Sequence, residues 1–253
     1  MEFSADTITL LFFVALIAGW VDVIAGGGGL LTIPALIMAG VPPAAAVATN
    51  KLQGSAGTLI ASIYFLRTGA IEFKKIKLLL LMTFIGSVFG SVLLLQIDAE
   101  LLTIFLPILL ISMGLYFLFA PNIDDRDRKQ KISLIAFTII IAPLLGFYDG
   151  FFGPGTGSFM ALAFVSLCGY NLSRATANAK ILNFTSNISS LLYFIIYGDI
   201  YWLIGFVMIG GQAIGATIGA KTVLKKGAAI IKPVVIIVCF LMSINLLLKQ
   251  ITS

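Results

Sequence analysis

The stretch Asp22–Thr32, "DVIAGGGGLLT", decides how the chain folds. Four consecutive glycines, Gly26 to Gly29, break an apolar run that begins near residue 8. Glycine is unfavourable by roughly 1 kcal/mol in a helix interior, and in hydrocarbon a broken helix leaves backbone amides without partners. The run makes sense only where those amides face something other than lipid.

The rest of the sequence sets the membrane context. Of 253 residues, 60% are hydrophobic and 11% charged, against roughly 25% charged in soluble domains, and the mean hydropathy is +1.10. This is an integral membrane protein. The net charge of +5 comes from short basic clusters between apolar runs, a pattern that orients helices in a bilayer and leaves no case for nucleic-acid binding. Cys168 and Cys239 lie inside apolar runs and form no pattern, and there is no histidine. Neither a disulfide framework nor a metal or cofactor site is suggested. The N-terminus "MEFSADTITLLFFVALIAGW" lacks a basic n-region and reads as a retained first span.

Apolar runs near residues 8–25, 46–66, 76–96, 101–120, 132–149, 178–197, 201–221 and 229–248 each approach the ~20 residues that cross about 30 Å of hydrocarbon. Two shorter runs, 29–41 and 152–168, are interrupted by Gly or Pro. If both short runs cross, all 16 basic residues except Lys51 and Lys249 fall on the inside; if both are re-entrant, the basic residues split almost evenly between the faces. The positive-inside rule therefore favours ten segments, eight full spans plus two short or broken helices, with both termini outside. The linker 121–131, containing "IDDRDRKQK" (Ile123–Lys131), is then cytoplasmic.

That linker separates an N-terminal transmembrane repeat, 1–120, from a C-terminal one, 132–253. Gly19, Asp22, Gly26 and Gly28 recur as Gly146, Asp149, Gly153 and Gly155 at an offset of 127 (146 − 19). Gly40, Lys51, Tyr64 and Gly69 recur as Gly169, Lys180, Tyr193 and Gly198 at 129 (169 − 40). Gly86 and Gly90 match Gly211 and Gly215 at 125 (211 − 86). About five segments per repeat is an odd number, so the second repeat is inverted relative to the first, and the fold class is an all-α polytopic membrane protein of two inverted repeats. Paired short, Gly-interrupted segments in such a pattern point to a secondary transporter with its site at the breaks. The open N-terminus of a half-helix presents free N–H groups and a positive dipole end, which together hold an anion.

The quoted residues also resemble a known family. "AGWVDVIAGGGGLLTIPALIMAG", "ATNKLQGSAGTLIASIYFLRTG", "GFYDGFFGPGTGSF" and "ATANAKILNFTSNISSLLYF" are similar to the TauE/SafE family of bacterial sulfite exporter-like permeases, over nearly the whole chain. The resemblance implies a multi-pass permease of the bacterial cytoplasmic (inner) membrane. Its cargo would be a small anion: sulfite, a sulfonate, or another sulfur-containing or organic anion.

The candidate substrate-binding residues are Gly26, Gly27, Gly28, Gly29, Asn50, Lys51, Gln53, Gly153, Gly155, Thr156, Lys180, Asn183 and Asn187. Lys51 and Lys180 are the natural charge partners of an anion; the plainer reading is a lysine snorkelling from a helix end. Asn50, Gln53, Asn183 and Asn187 either line the site or hydrogen-bond between helices. Asp22 and Asp149 are candidates for proton coupling, or simple caps at helix ends. Gly86-x-x-x-Gly90 and Gly211-x-x-x-Gly215 read as close helix packing, with Gln212 the one polar residue there able to reach a site.

Other classes fit less well. The glycine run lacks the Lys-Ser/Thr ending of a phosphate loop, which excludes an ATP-driven pump. A lipid-acting enzyme with Asp22 and Asp149 as acid and base has no histidine and no use for the duplication. A non-transporting subunit or assembly factor, or an anion channel, remains as the alternative. Expected partners are a small anionic substrate and the lipid bilayer, with a homo-oligomer compatible and no nucleic acid.

Overall fold

The computed structural model describes residues 3–69, 71, 73–98, 100–102, 104, 105, 108, 111, 112, 115 and 126–226. The expected span 229–248, most of 101–120, Cys239 and linker residues 121–125 lie outside the described residues. Among the described residues there are only helices: α1 (Ala5–Ala25), α2 (Gly28–Met38), α3 (Pro43–Arg67), α4 (Phe73–Gln96), α5 (Leu134–Phe151), α6 (Thr156–Cys168), α7 (Leu172–Tyr197) and α8 (Trp202–Lys226).

Four of them, α1, α4, α5 and α8, are long and apolar enough to cross a bilayer. Their outward faces carry exposed Leu10, Phe13 and Ile17 on α1, Ile139, Ile140 and Leu144 on α5, and Leu203 and Phe206 on α8, a surface suited to lipid rather than water. The helices α3 and α7 are longer, 25 and 26 residues, but they carry their polar side chains buried. They start earlier than the apolar runs suggested, at Pro43 and Leu172, with Pro42 as N-cap of the first and the Asn171 side chain accepting the Arg174 N–H at the second. The consequence is that Lys51 and Lys180 sit well inside their helices, 0% and 1% exposed, which rules out snorkelling. The helix α5 contains a π-helical stretch, Phe137–Ile141, immediately before Pro143. A widened turn of this kind absorbs the backbone carbonyl that a proline ring would otherwise strike.

Two apolar clusters cap the bundle. One gathers Val41 and Ala45–Ala48 from the start of α3 with Leu11 of α1, Leu36 of α2 and Phe194 of α7. The other gathers Ala61 and Phe65 from the far end of α3 with Val23, Phe137, Phe164 and Leu182. Since the two clusters hold opposite ends of α3, they mark opposite ends of the bundle, and the polar residues of α3 and α7 lie between them. The helix α2 runs back to the end at which α1 begins, and α6 back to the end at which α5 begins.

The principal contacts are α1 with α8 and α4 with α5, followed by α3 with α8, α3 with α7 and α4 with α7. In the first two, glycines meet bare backbone: a side chain on Gly215 would strike the Leu16 carbonyl, and one on Gly86 the Pro143 carbonyl. The segment before α5 is fastened to the end of α6, with Arg128 N–H donating to Gly169 O at 2.8 Å, Lys131 N–H to Leu167 O at 2.9 Å, and Asn171 N–H to the Asp127 carboxylate at 3.0 Å.

Candidate functional site

The glycine run separates α1 from α2. Gly26 caps α1 in the left-handed region (φ 67°), its N–H donating to Asp22 O at 2.7 Å, and Gly27 is the N-cap from which α2 starts. A side chain at Gly26 would run into the backbone of Gly157 and Ser158, and one at Gly29 would approach Pro154 Cα at 3.5 Å. The two sequence breaks therefore touch each other in space. On the other side of that contact α5 ends at Phe151, and the chain turns through Gly153 (φ 87°), Pro154 and Gly155 (φ 76°) into α6. Tyr148 Oη donates to Pro154 O at 2.7 Å and Thr156 Oγ1 to Gly153 O at 2.7 Å, which fixes the turn.

The buried charges pair across the chain. Lys51 Nζ of α3 lies 2.9 Å from Asp149 Oδ2 of α5, with side chains 0% and 2% exposed. Lys180 Nζ of α7 lies 3.2 Å from Asp22 Oδ2 of α1 and also donates to the Asp22 backbone carbonyl. Each lysine is thus held by the aspartate from the opposite part of the sequence. Removing one partner from a buried pair leaves an uncompensated charge, worth about 3–5 kcal/mol. Asp22 has a further task, because its Oδ1 accepts the Gly28 N–H at 3.2 Å and so occupies the N-terminus of α2.

Between the breaks and the α3/α7 crossing lies a small polar cavity of about 20 Å³, room for little more than one water molecule. Asp22, Gly26, Gly28 and Gly29 line it from the first break, and Asp149 and Gly153 from the second. Asn50 and Gln53 of α3 and Asn183 and Asn187 of α7 complete the expected residues found there. Lys51 and Lys180 are not on the wall itself but stand behind the two carboxylates. Gly27, Gly155 and Thr156 are also absent from the lining, although they shape the helix starts.

Three residues outside the expected substrate-binding set complete the wall, Gly54, Thr58 and Gln212. Asn50, Gly54 and Thr58 fall at i, i+4 spacing, a stripe on one face of α3 that periodicity could have revealed. Thr32 stands behind the wall: its hydroxyl donates to Asn50 Oδ1 at 2.6 Å, and Gln53 Nε2 donates to the same oxygen at 2.7 Å. This network ties α2 to α3. On α7, Asn187 Nδ2 donates to Asn183 Oδ1 at 2.6 Å. Gln53 Oε1 and Gln212 Oε1, both buried, accept no hydrogen bond among the described residues. The wall therefore combines fixed donors, two compensated carboxylates and unused acceptors, a polar surface enclosed among apolar helices.

Comparison with known proteins agrees with this architecture. The family profile described as "Sulfite exporter TauE/SafE" matches residues 11–246. A "Probable membrane transporter protein" of Haemophilus influenzae is 49% identical over 250 residues, covering 99% of this chain and 98% of the relative. The "Probable membrane transporter protein YfcA" of Escherichia coli K12 is 52% identical over 238 residues, covering 94% and 88%. A third, the "Probable membrane transporter protein ORF9" of Sinorhizobium, is 43% identical over 246 residues, covering 97% and 94%. No solved structure matches the chain. With its apolar helices, a match over nearly its full length and relatives at about half identity, the chain belongs to the TauE/SafE family of multi-pass membrane transporters.

Proposed function

We propose that this protein is a secondary carrier that moves a small anion across the bacterial cytoplasmic membrane by alternating access. Sulfite, a sulfonate or another sulfur-containing or organic anion is the cargo. The observation that carries the reading is the pair of buried lysine–aspartate contacts, Lys51 with Asp149 and Lys180 with Asp22, flanking one polar cavity at the two helix breaks. Opening either pair without a substitute counter-ion strands a charge in low dielectric. A bound anion supplies that substitute for a lysine, and a proton supplies it for the released aspartate, which gives Asp22 and Asp149 their coupling role.

Inverted repeats, 1–120 and 132–253, underlie this reading. Asp22 and Asp149 stand 127 apart (149 − 22), Lys51 and Lys180 129 apart (180 − 51), and Gly26 and Gly153 share the left-handed conformation. The contact of α1 with α8 has its counterpart in α5 with α4, and α1 and α5 begin in opposite apolar clusters. Gly86 against Pro143 and Gly215 against Leu16 extend the offset of 129 (215 − 86) into the fourth helices. This is one turn away from the pairing of Gly86 with Gly211. In this topology both termini lie outside and the linker 121–131 lies in the cytoplasm.

Proteoliposome uptake of sulfite and ethanesulfonate by the purified chain is the test. Wild type is expected to transport at least one of them, and Asp149→Asn to lose at least ten-fold of that flux, as expected for removal of one partner of a buried ion pair. No flux of any small anion, or full flux in Asp149→Asn, defeats the reading. An external C-terminal tag is the matching result for topology.

A further inference from the structure

The two breaks resemble each other in sequence and differ in occupancy. At the first, the Asp22 carboxylate accepts the Gly28 N–H, and Lys180 donates to both the carboxylate and the backbone carbonyl of Asp22. The N-terminus of α2 thus already holds an anion, one that belongs to the chain. At the second, Asp149 is turned towards Lys51, and no hydrogen bond joins it to Gly155, the counterpart of Gly28 at an offset of 127 (155 − 28). Thr156 and Ser158 N–H groups turn back to the carbonyls of Gly153 and Gly155, leaving those of Gly155 and Gly157 without a backbone acceptor among the described residues. Lys51 Nζ is fully buried, makes one ion-pair contact and no hydrogen bond, and lies 3.0 Å from where a Cβ on Gly153 would stand.

Resting on the carrier reading above, we propose that one oxyanion binds per chain, at the N-terminus of α6 beside Lys51, while Asp22 serves as the built-in anion of the α2 break. Asp149, whose Oδ1 lies 3.4 Å from that same Cβ position at Gly153, takes up a proton as the anion replaces it on Lys51, and the groups left facing the anion are then donors. The 13-residue α6 offers free N–H groups and the positive end of its dipole, and the ammonium of Lys51 has donor protons to spare. An oxyanion with two or more free oxygens, such as a sulfonate or sulfite, reaches the amides with one oxygen and Lys51 with another. In the other half the same places are filled by the two oxygens of Asp22. Lys180 and Asp22 then hold α2 in place in this state, and Lys51 is the residue that meets cargo once its pair with Asp149 opens.

The experiment uses the purified full-length protein titrated with sodium ethanesulfonate and with sulfite, read by calorimetric stoichiometry and by thermal unfolding. One anion per chain is expected. The pair-neutralised variant Lys51→Gln/Asp149→Asn is expected to bind about ten- to hundredfold more weakly. The variant Lys180→Gln/Asp22→Asn is expected to melt at lower temperature and to weaken anion binding less than the first variant does. Two anions per chain, equal loss in both variants, or greater loss in the second overturns the assignment and leaves the carrier reading standing. Wild type that binds neither probe overturns both. If either variant fails to fold, the wild-type stoichiometry still decides.

Discussion

The crossing of α3 with α7 and the seams of α1 with α8 and α4 with α5 are built on opposite principles. In the seams, glycine brings backbone onto backbone: Gly211, Gly215 and Gly219 face the carbonyls of Phe12, Leu16 and Trp20. Little there can rearrange without forcing two helices apart. At the crossing the contact is made by long polar side chains, with Gly54 leaving room for Asn187 and Lys51 and Lys180 reaching outward to aspartates on other helices. Dispersion and close approach hold the seams, whereas charge compensation ties the crossing helices to α5 and α1. Each seam joins a helix from before the charged linker to one from after it.

The comparison breaks first, and most visibly, at Lys180. Lys180→Ala strands the Asp22 carboxylate and is expected to cost about 3–5 kcal/mol, a fall in melting temperature of roughly 6–20 °C for a chain of this size; adding Asp22→Asn should recover most of it. A Lys180→Ala protein that melts like wild type in detergent shows that the crossing does not store charge. Next comes Gly215→Ala in the α1/α8 seam. Its methyl group meets the Leu16 carbonyl, and overpacking of this kind costs about 1–3 kcal/mol, with no rescue by any single charge change. Parallel thermal melts of the two variants separate the mechanisms, since a second-site charge change restores only the first. The smallest effect is expected at Ser190, whose hydroxyl lies 2.6 Å from that of Ser87 where α4 meets α7. Ser190→Ala should cost about 1 kcal/mol, seen as a shift of a few degrees, and a much larger loss would mean that this contact also belongs to the charged core.

Much of this arrangement is legible in the residues themselves. The glycine run and its counterpart announce the helix breaks because no other residue tolerates that backbone approach, and the matched lysines stand out because charge is rare in an apolar alphabet. The choice of counter-ion was hidden. An offset of 127 or 129 says which residues correspond, not which ones touch, and here each lysine touches the aspartate of the other half. Thr32 and Thr58 were hidden for a different reason, since a threonine in an apolar run looks like any other small residue until its neighbours are known. The fourth helices show how a register can slip: with Gly211, Gly215 and Gly219 four residues apart, a one-turn shift leaves the glycine pattern unchanged. Only the backbone facing each glycine distinguishes the alternatives. The starts of α3 and α7 were read late because Ala and polar residues open both helices ahead of the apolar runs.

The fastening of residues 127–132 to the far end of α6 has a mechanical meaning. The helix α6 hangs between two left-handed glycines, Gly155 at 76° and Gly169 at 73°, each a swivel that a side chain would stiffen. At its upper swivel the chain meets the glycine run of α1 and α2; at its lower one it is stitched through Arg128 and Lys131 to the strand of chain entering α5. The pair α5 and α6 with its lead-in therefore closes on itself as a linkage of two rods and three joints. The helix α6 is thus pinned at both ends, to the glycine run of α1 and α2 at one and to the lead-in of α5 at the other, so a substitution that loosens either contact bears on both.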